Sequence, residues 1–165
     1  MSPIKLVVFD LDRTIWNHPN VSSLVLPLKL VVLDSVKDAC GSEVTLIKGI
    51  LETLETMTER GLAISVASWN DPPIVLELLR LLKLQRFFRF PQIEWDVPKI
   101  QMIRAIVSAI QRTEGMQIEY DEILFVDDKD EQLRAVREAN RQIRLAKAWA
   151  KPKSPQQLLE RKWLR

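Results

Sequence analysis

Val7-Val8-Phe9-Asp10-Leu11-Asp12-Arg13-Thr14-Ile15 puts two carboxylates and a hydroxyl where an apolar run gives out. The run before them, Ile4 to Phe9, is rich in β-branched and aromatic residues and reads as a strand buried on both faces, the pattern of a parallel sheet covered by helices. In such sheets ligands bind at the carboxyl ends of the strands, so the acidic pair falls where chemistry is done. Two carboxylates two residues apart repel, and holding both ionised costs free energy unless a cation or a proton compensates. A divalent metal is the natural compensator. The competing reading is an acidic turn in which Asp12 or Thr14 caps a local group. The rest of the chain decides between them.

Beyond that strand the pattern alternates between helix and strand. Residues 47 to 60 carry Ile47, Ile50, Leu51, Leu54 and Met57 at helical spacing, with Gly61 placed as a stop. Leu62 to Ala67 is a second buried strand. Asp71 before Pro72 is a helix-start signature, and Ile74 to Leu84 supplies the apolar face that follows. Lys99 to Ile110, after Pro98, is a third amphipathic helix; Ile123 to Val126 is a strand, Glu131 to Asn140 a helix and Ile143 to Ala146 a last strand. Leu24 to Leu33, interrupted by Pro27 and Lys29, suggests a small hairpin. The expected fold is α/β, a doubly wound three-layer parallel sheet. Residues 1 to 146 form one domain on this reading, with a flap or hairpin insert at about 16 to 46. There is no room for a large lid.

With 165 residues and 47% hydrophobic content, the chain suits one domain with a full core. It has no apolar stretch of membrane-spanning length and no signal-like start, so a cytoplasmic protein with no membrane partner is expected. Cys40 is the sole cysteine and His18 the sole histidine, which excludes an intramolecular disulfide and a zinc site of Cys or His type. A metal here must be held by oxygen, which favours Mg²⁺ or a similar hard cation. The net charge of +2 is a property of the tail: residues 147 to 165 hold six Lys or Arg against one Glu. That basic tail reads as a helix packing Leu158, Leu159 and Trp163 rather than a nucleic-acid contact.

Each strand end carries a polar group. The first ends in Asp10 and Asp12, the second in Ser68, the third in Asp127 and Asp128, and Lys99 starts the helix between. Two acidic pairs at neighbouring strand ends can share a cation, while a hydroxyl and a positive charge hold an anion beside it. That combination describes a phosphoryl site.

Asp10-Leu11-Asp12-Arg13-Thr14, Ser68, Lys99 and Asp127-Asp128, in this order, resemble the four motifs of the haloacid dehalogenase-like phosphohydrolases. With Ile15-Trp16 following, the first motif is similar to that of the magnesium-dependent phosphatase family, a capless branch of subfamily III type. The resemblance covers roughly residues 4 to 146. It implies that Asp10 attacks phosphorus to give an aspartyl-phosphate, and that Asp12 protonates the leaving group and then activates water. It implies that Mg²⁺ is held by Asp10, Asp127 and Asp128, with Asp12 contributing its backbone carbonyl. Thr14 would steady the loop, and Thr14, Ser68, Trp69, Asn70 and Lys99 make up the phosphate and substrate side, where Ser68 and Lys99 hold the non-bridging oxygens. Trp69 departs from the pattern, since animal members of that branch place Arg after the serine; an indole offers stacking instead of charge.

The implied activity is Mg²⁺-dependent hydrolysis of a phosphomonoester, on a phosphoprotein of phosphotyrosine type or a small sugar phosphate, by a monomer or weak dimer. A receiver-type signalling domain is set aside because its acidic pair precedes the phosphorylated aspartate. Two alternatives remain: a non-catalytic phosphate- or metal-binding module, and a domain that loads glyceryl units onto a carrier protein.

Overall fold

β1 (Leu6–Phe9) is the middle strand of a five-stranded parallel sheet. The computed structural model describes residues 2–149 and 153–164. β5 (Ala63–Ser68) and β7 (Ile123–Asp127) flank β1, with β6 (Gln92–Ile93) outside β5 and β8 (Arg144–Lys147) outside β7. Every residue of β1, β5 and β7 is buried, as the unbroken apolar runs require.

Side-chain alternation along these strands divides the core in two. Val7, Phe9, Ile64, Val66, Leu124 and Val126 pack with α1 (Ile50–Glu59) and α2 (Pro72–Leu81). Leu6, Val8, Ala63, Ile123 and Phe125 pack on the other side with α3 (Lys99–Glu114) and α4 (Asp130–Ala139). The result is the expected three-layer, doubly wound arrangement.

The insert is more than one hairpin. β2 (Lys29–Val32), β3 (Ser35–Lys37) and β4 (Glu43–Thr45) form a separate antiparallel sheet in that order. Asp38 ties its far turn, accepting from Cys40 N at 2.9 Å, Ser42 N at 2.7 Å and Val25 N at 2.9 Å. A short 3-10 turn, Val21–Ser23, joins the insert to the end of β1.

Several boundaries shift for local reasons. α1 begins at Ile50 rather than 47 because Gly49 sits at φ 83°, a left-handed conformation that a helix cannot include. It ends at Glu59, and the following turn closes with Gly61 N donating to Thr58 O and Leu62 N to Met57 O. The tail forms α5 (Pro155–Leu158) and a terminal 3-10 turn, with Leu158 and Leu164 buried against α1's side of the core. Residues 150–152 and 165 of that tail lie outside the described residues.

Candidate active site

Register brings the polar strand ends together. Phe9 pairs with Val66 on one side and Val126 on the other, so Asp10 stands level with Ala67 and Asp127. Adjacent parallel strands lie about 4.8 Å apart, which forces the two carboxylates into one small volume. Asp10, Asp127 and Asp128 each place a carboxylate oxygen within 4.8 Å of the others.

Lys99 enters this group from the first turn of α3 and is itself buried. Its Nζ donates to Asp10 Oδ1 at 2.7 Å and to Ala67 O at 2.5 Å, and stands 3.7 Å from Asp127 Oδ2. A cation at a helix N-terminus opposes the helix dipole, and these carboxylates offset that cost. One lysine is not enough for three acids. Asp127 Oδ1 accepts from Lys129 N at 2.8 Å, but Asp127 Oδ2 and Asp128 Oδ1 are buried with no hydrogen-bond partner among the described residues. Burial first, then the charge of Asp10, pushes Asp127 up to about 7 despite Lys99, and the same two causes raise Asp128. Two orphaned carboxylate oxygens beside a third carboxylate are the donor set a hard divalent cation takes.

Asp12 is held differently. Its backbone follows Asp10 by two residues, and Arg13 at φ 57° then turns the chain so that Thr14 N and Ile15 N both donate to Leu11 O. The Asp12 carboxylate is not part of the three-aspartate cluster. Oδ1 accepts from Trp16 Nε1 at 2.8 Å and Val21 N at 3.3 Å, while Oδ2 accepts from Asn70 Nδ2 at 3.0 Å. Burial holds it above the usual carboxylate range, against the pull of these hydrogen bonds and with the charge of Asp10 adding to the rise.

A small pocket lined by Asp10, Asp12, Trp69, Lys99, Asp127, Lys129 and Gln132 opens over this group. Three of the expected substrate residues lie behind it. Thr14 is fully buried, its Oγ1 without a partner among the described residues and its carbonyl accepting from Trp149 Nε1 at 3.0 Å, and it is not part of the pocket lining. Ser68 is 1% exposed, its oxygen accepting from Asn70 Nδ2 at 3.0 Å. Asn70, expected on the phosphate, spends both N–H groups inside the protein, on Asp12 and Ser68. Trp69 does face the pocket, with its indole N–H tied to Val97 O at 2.6 Å. Lys129 and Gln132 were not anticipated; both follow the Asp127-Asp128 pair within one helical turn, which was the available signal.

The five-stranded parallel sheet with helices on both faces is a fold shared with solved structures of haloacid dehalogenase-like hydrolases. A HAD-superfamily hydrolase from Ehrlichia chaffeensis superposes with a TM-score of 0.60 at 15% identity, covering 93% of this chain and 96% of that one. An uncharacterized protein from Listeria monocytogenes serotype 4b gives 0.65 at 17%, covering 95% and 98%. The N-terminal part of a Bacteroides fragilis protein, containing a phosphatase domain and complexed with Mg, gives 0.59 at 23% and covers 96% of this chain. This chain spans 39% of that Bacteroides chain. No curated protein sequence matches. The acid phosphatase family pattern matches residues 3–148, and the chain belongs to that family.

Proposed function

We propose that this protein is a Mg²⁺-dependent phosphomonoester hydrolase working through an aspartyl-phosphate on Asp10. The observation that carries the reading is the pair of orphaned oxygens, Asp127 Oδ2 and Asp128 Oδ1, buried beside Asp10. Asp10, Asp127 and Asp128 would hold Mg²⁺ through their carboxylates, and Asp12 through its backbone carbonyl. When bound, the ion neutralises these acids and draws charge from the phosphoryl oxygens.

Asp10 has one oxygen fixed by Lys99 and the other available to attack phosphorus. The P–O bond to the leaving group breaks as the Asp10–phosphorus bond forms, and water later reverses the exchange to release phosphate. Lys99 and the Ser68 hydroxyl stabilise the non-bridging oxygens. Asp12 moves the proton, and its surroundings say from which atom. A carboxyl offers about four lone-pair sites. Trp16 and Val21 take both on Oδ1 and Asn70 takes one on Oδ2, so the proton is held on the remaining site of Oδ2.

The leaving group has a place to lie. A groove of about 430 Å³ between the start of α3 and the outer side of α4 shares Trp69, Lys99 and Gln132 with the phosphate pocket. Pro98, Ile100, Ala135, Val136 and Ala139 make much of its lining apolar, Asp96 and Glu131 add negative charge, and the cation that reaches it, Lys99, is already paired with Asp10. This lining supports a flat, apolar leaving group over a sugar.

Purified protein given Mg²⁺ hydrolyses p-nitrophenyl phosphate, stops with chelator, and loses at least about a thousandfold in kcat as Asp10→Asn while remaining folded. Full turnover by that variant would refute the nucleophile.

A further inference from the structure

We propose that Asn70 is a positioning residue that fixes Asp12 and Ser68 relative to one another, and that Ser22 locks it in the one orientation able to do so. The inference rests on the hydrolase reading above and concerns how its proton carrier is aimed.

The Asn70 side chain is 1% exposed and every polar atom in it is used. Nδ2 donates one hydrogen to Asp12 Oδ2 and the other to Ser68 Oγ, each at 3.0 Å. Oδ1 accepts from Ser22 Oγ at 2.6 Å. Ser22 Oγ itself accepts from Asp71 N at 2.8 Å, so its only hydrogen goes to Asn70. That polarity decides which end of the amide is oxygen. A flipped amide would put oxygen against the Asp12 carboxylate and leave Ser22 with no acceptor.

Two consequences follow for the reaction. Because the Ser68 oxygen accepts from Asn70, its own O–H is left to donate, and no described residue is recorded as receiving it; on the hydrolase reading a phosphoryl oxygen takes that hydrogen. Because Asn70 holds Asp12 Oδ2 from one side, the carboxylate keeps one orientation in the pocket it lines. The same short turn, Val21–Ser23, grips both carboxylate oxygens, Oδ1 directly through Val21 N and Oδ2 through Ser22 and Asn70. A residue that merely filled space beside β5 would need none of this directionality.

The test is pre-steady-state kinetics with two leaving groups. p-Nitrophenolate leaves without a proton, whereas the alkoxide of glycerol 2-phosphate does not. In Asn70→Ala the first-turnover rate with glycerol 2-phosphate falls at least about 30-fold, within the range expected for lost general acid catalysis. The nitrophenolate burst falls by only about threefold, the loss of Ser68 alignment that both substrates share, and its steady state slows further as phosphoenzyme accumulates, because water activation also needs Asp12. Asn70→Asp, which sets an acceptor against Asp12, fails in the same pattern. Ser22→Ala, at a half-buried turn, gives the same pattern more weakly and supplies the test if Asn70 variants do not fold. An equal fall with both substrates, or none, overturns the role of Asn70 while leaving the hydrolase reading intact. A wild-type protein inert towards both esters with Mg²⁺ present removes the hydrolase reading, and this inference with it.

Discussion

Asp127 is fully buried, has one oxygen without a hydrogen-bond partner among the described residues, and stands 3.7 Å from Lys99 Nζ. Its carboxyl is pushed up to about 7, so the metal-free folded state binds a proton that the unfolded chain has already released. The sign follows from linkage. Where the folded state holds more protons than the unfolded one, stability falls as pH rises. The window runs from the ordinary value of 3.8 to about 7, and Asp12 and Asp128, also raised by burial, act in the same direction. In chelator, the thermal midpoint should therefore fall by several degrees between pH 5 and pH 7 and level off above, an effect of a few kcal/mol at most. Saturating Mg²⁺ should recover that loss at pH 7.5 and do less at pH 5, where binding must first displace the proton on Asp127. Differential scanning calorimetry over pH, with and without Mg²⁺, measures it, and a midpoint that rises with pH in chelator contradicts the assignment. These aspartates and Lys99 were legible in the sequence because their chemistry is carried by residue type and by position at the end of an apolar run. Ser22 was not, since its bond to Asn70 spans 48 positions and exists only once the insert has folded back on β5. Trp16 lay closer to hand, four residues beyond the carboxylate it holds.

α3 and α4 do double duty: their inner faces cover the sheet, and the seam between them forms the groove beside Trp69. Ala135 is exposed on α4 and contributes only a methyl group to that seam. Replacing it by phenylalanine fills the groove without disturbing the core, and helix propensity changes by only about half a kcal/mol. We expect Ala135→Phe to lower kcat/KM for 1-naphthyl phosphate about tenfold relative to glycerol 2-phosphate, which is the size of losing one well-packed apolar contact. An unchanged ratio of the two would mean that the leaving group lies elsewhere. The helices themselves were readable from apolar spacing, and each begins within three residues of its expected start. The groove was not, because it depends on how two helices diverge. The third strand of the insert was hard to read for a related reason: β4 is three residues long, with only Val44 buried, too short for alternation to register.

At the scale of the whole molecule, the tail adds to the side of the core that α1 and α2 cover. Leu158 and Leu164 are buried in the α1 side of the core, and Arg60 Nη1 donates to Leu159 O at 3.1 Å and Leu164 O at 2.8 Å. Ile4 N donates to Trp163 O at 2.9 Å, so the tail is fastened to the residue that leads into β1. Gly49 leaves room for this: a Cβ there would lie 1.8 Å from Gln156 Nε2. The charge pattern of the tail suggested a solvated basic helix with an apolar stripe; the stripe is real, and its helix is a single turn. The described part of the tail therefore packs into the same core as α1. Ending the chain after Trp149 uncovers two leucines, each worth about 1.5–3 kcal/mol when fully buried, so the truncated protein should lose roughly 3–6 kcal/mol of stability. Chemical denaturation of the two forms in Mg²⁺ measures the difference. Asp10, Lys99 and Asp127 lie at the other end of β1, so the truncated protein that remains folded should keep its turnover of p-nitrophenyl phosphate. A loss of turnover larger than the loss of folded protein would mean that the tail acts on the site through Trp149, whose indole N–H holds the Thr14 carbonyl beneath the Asp12 loop.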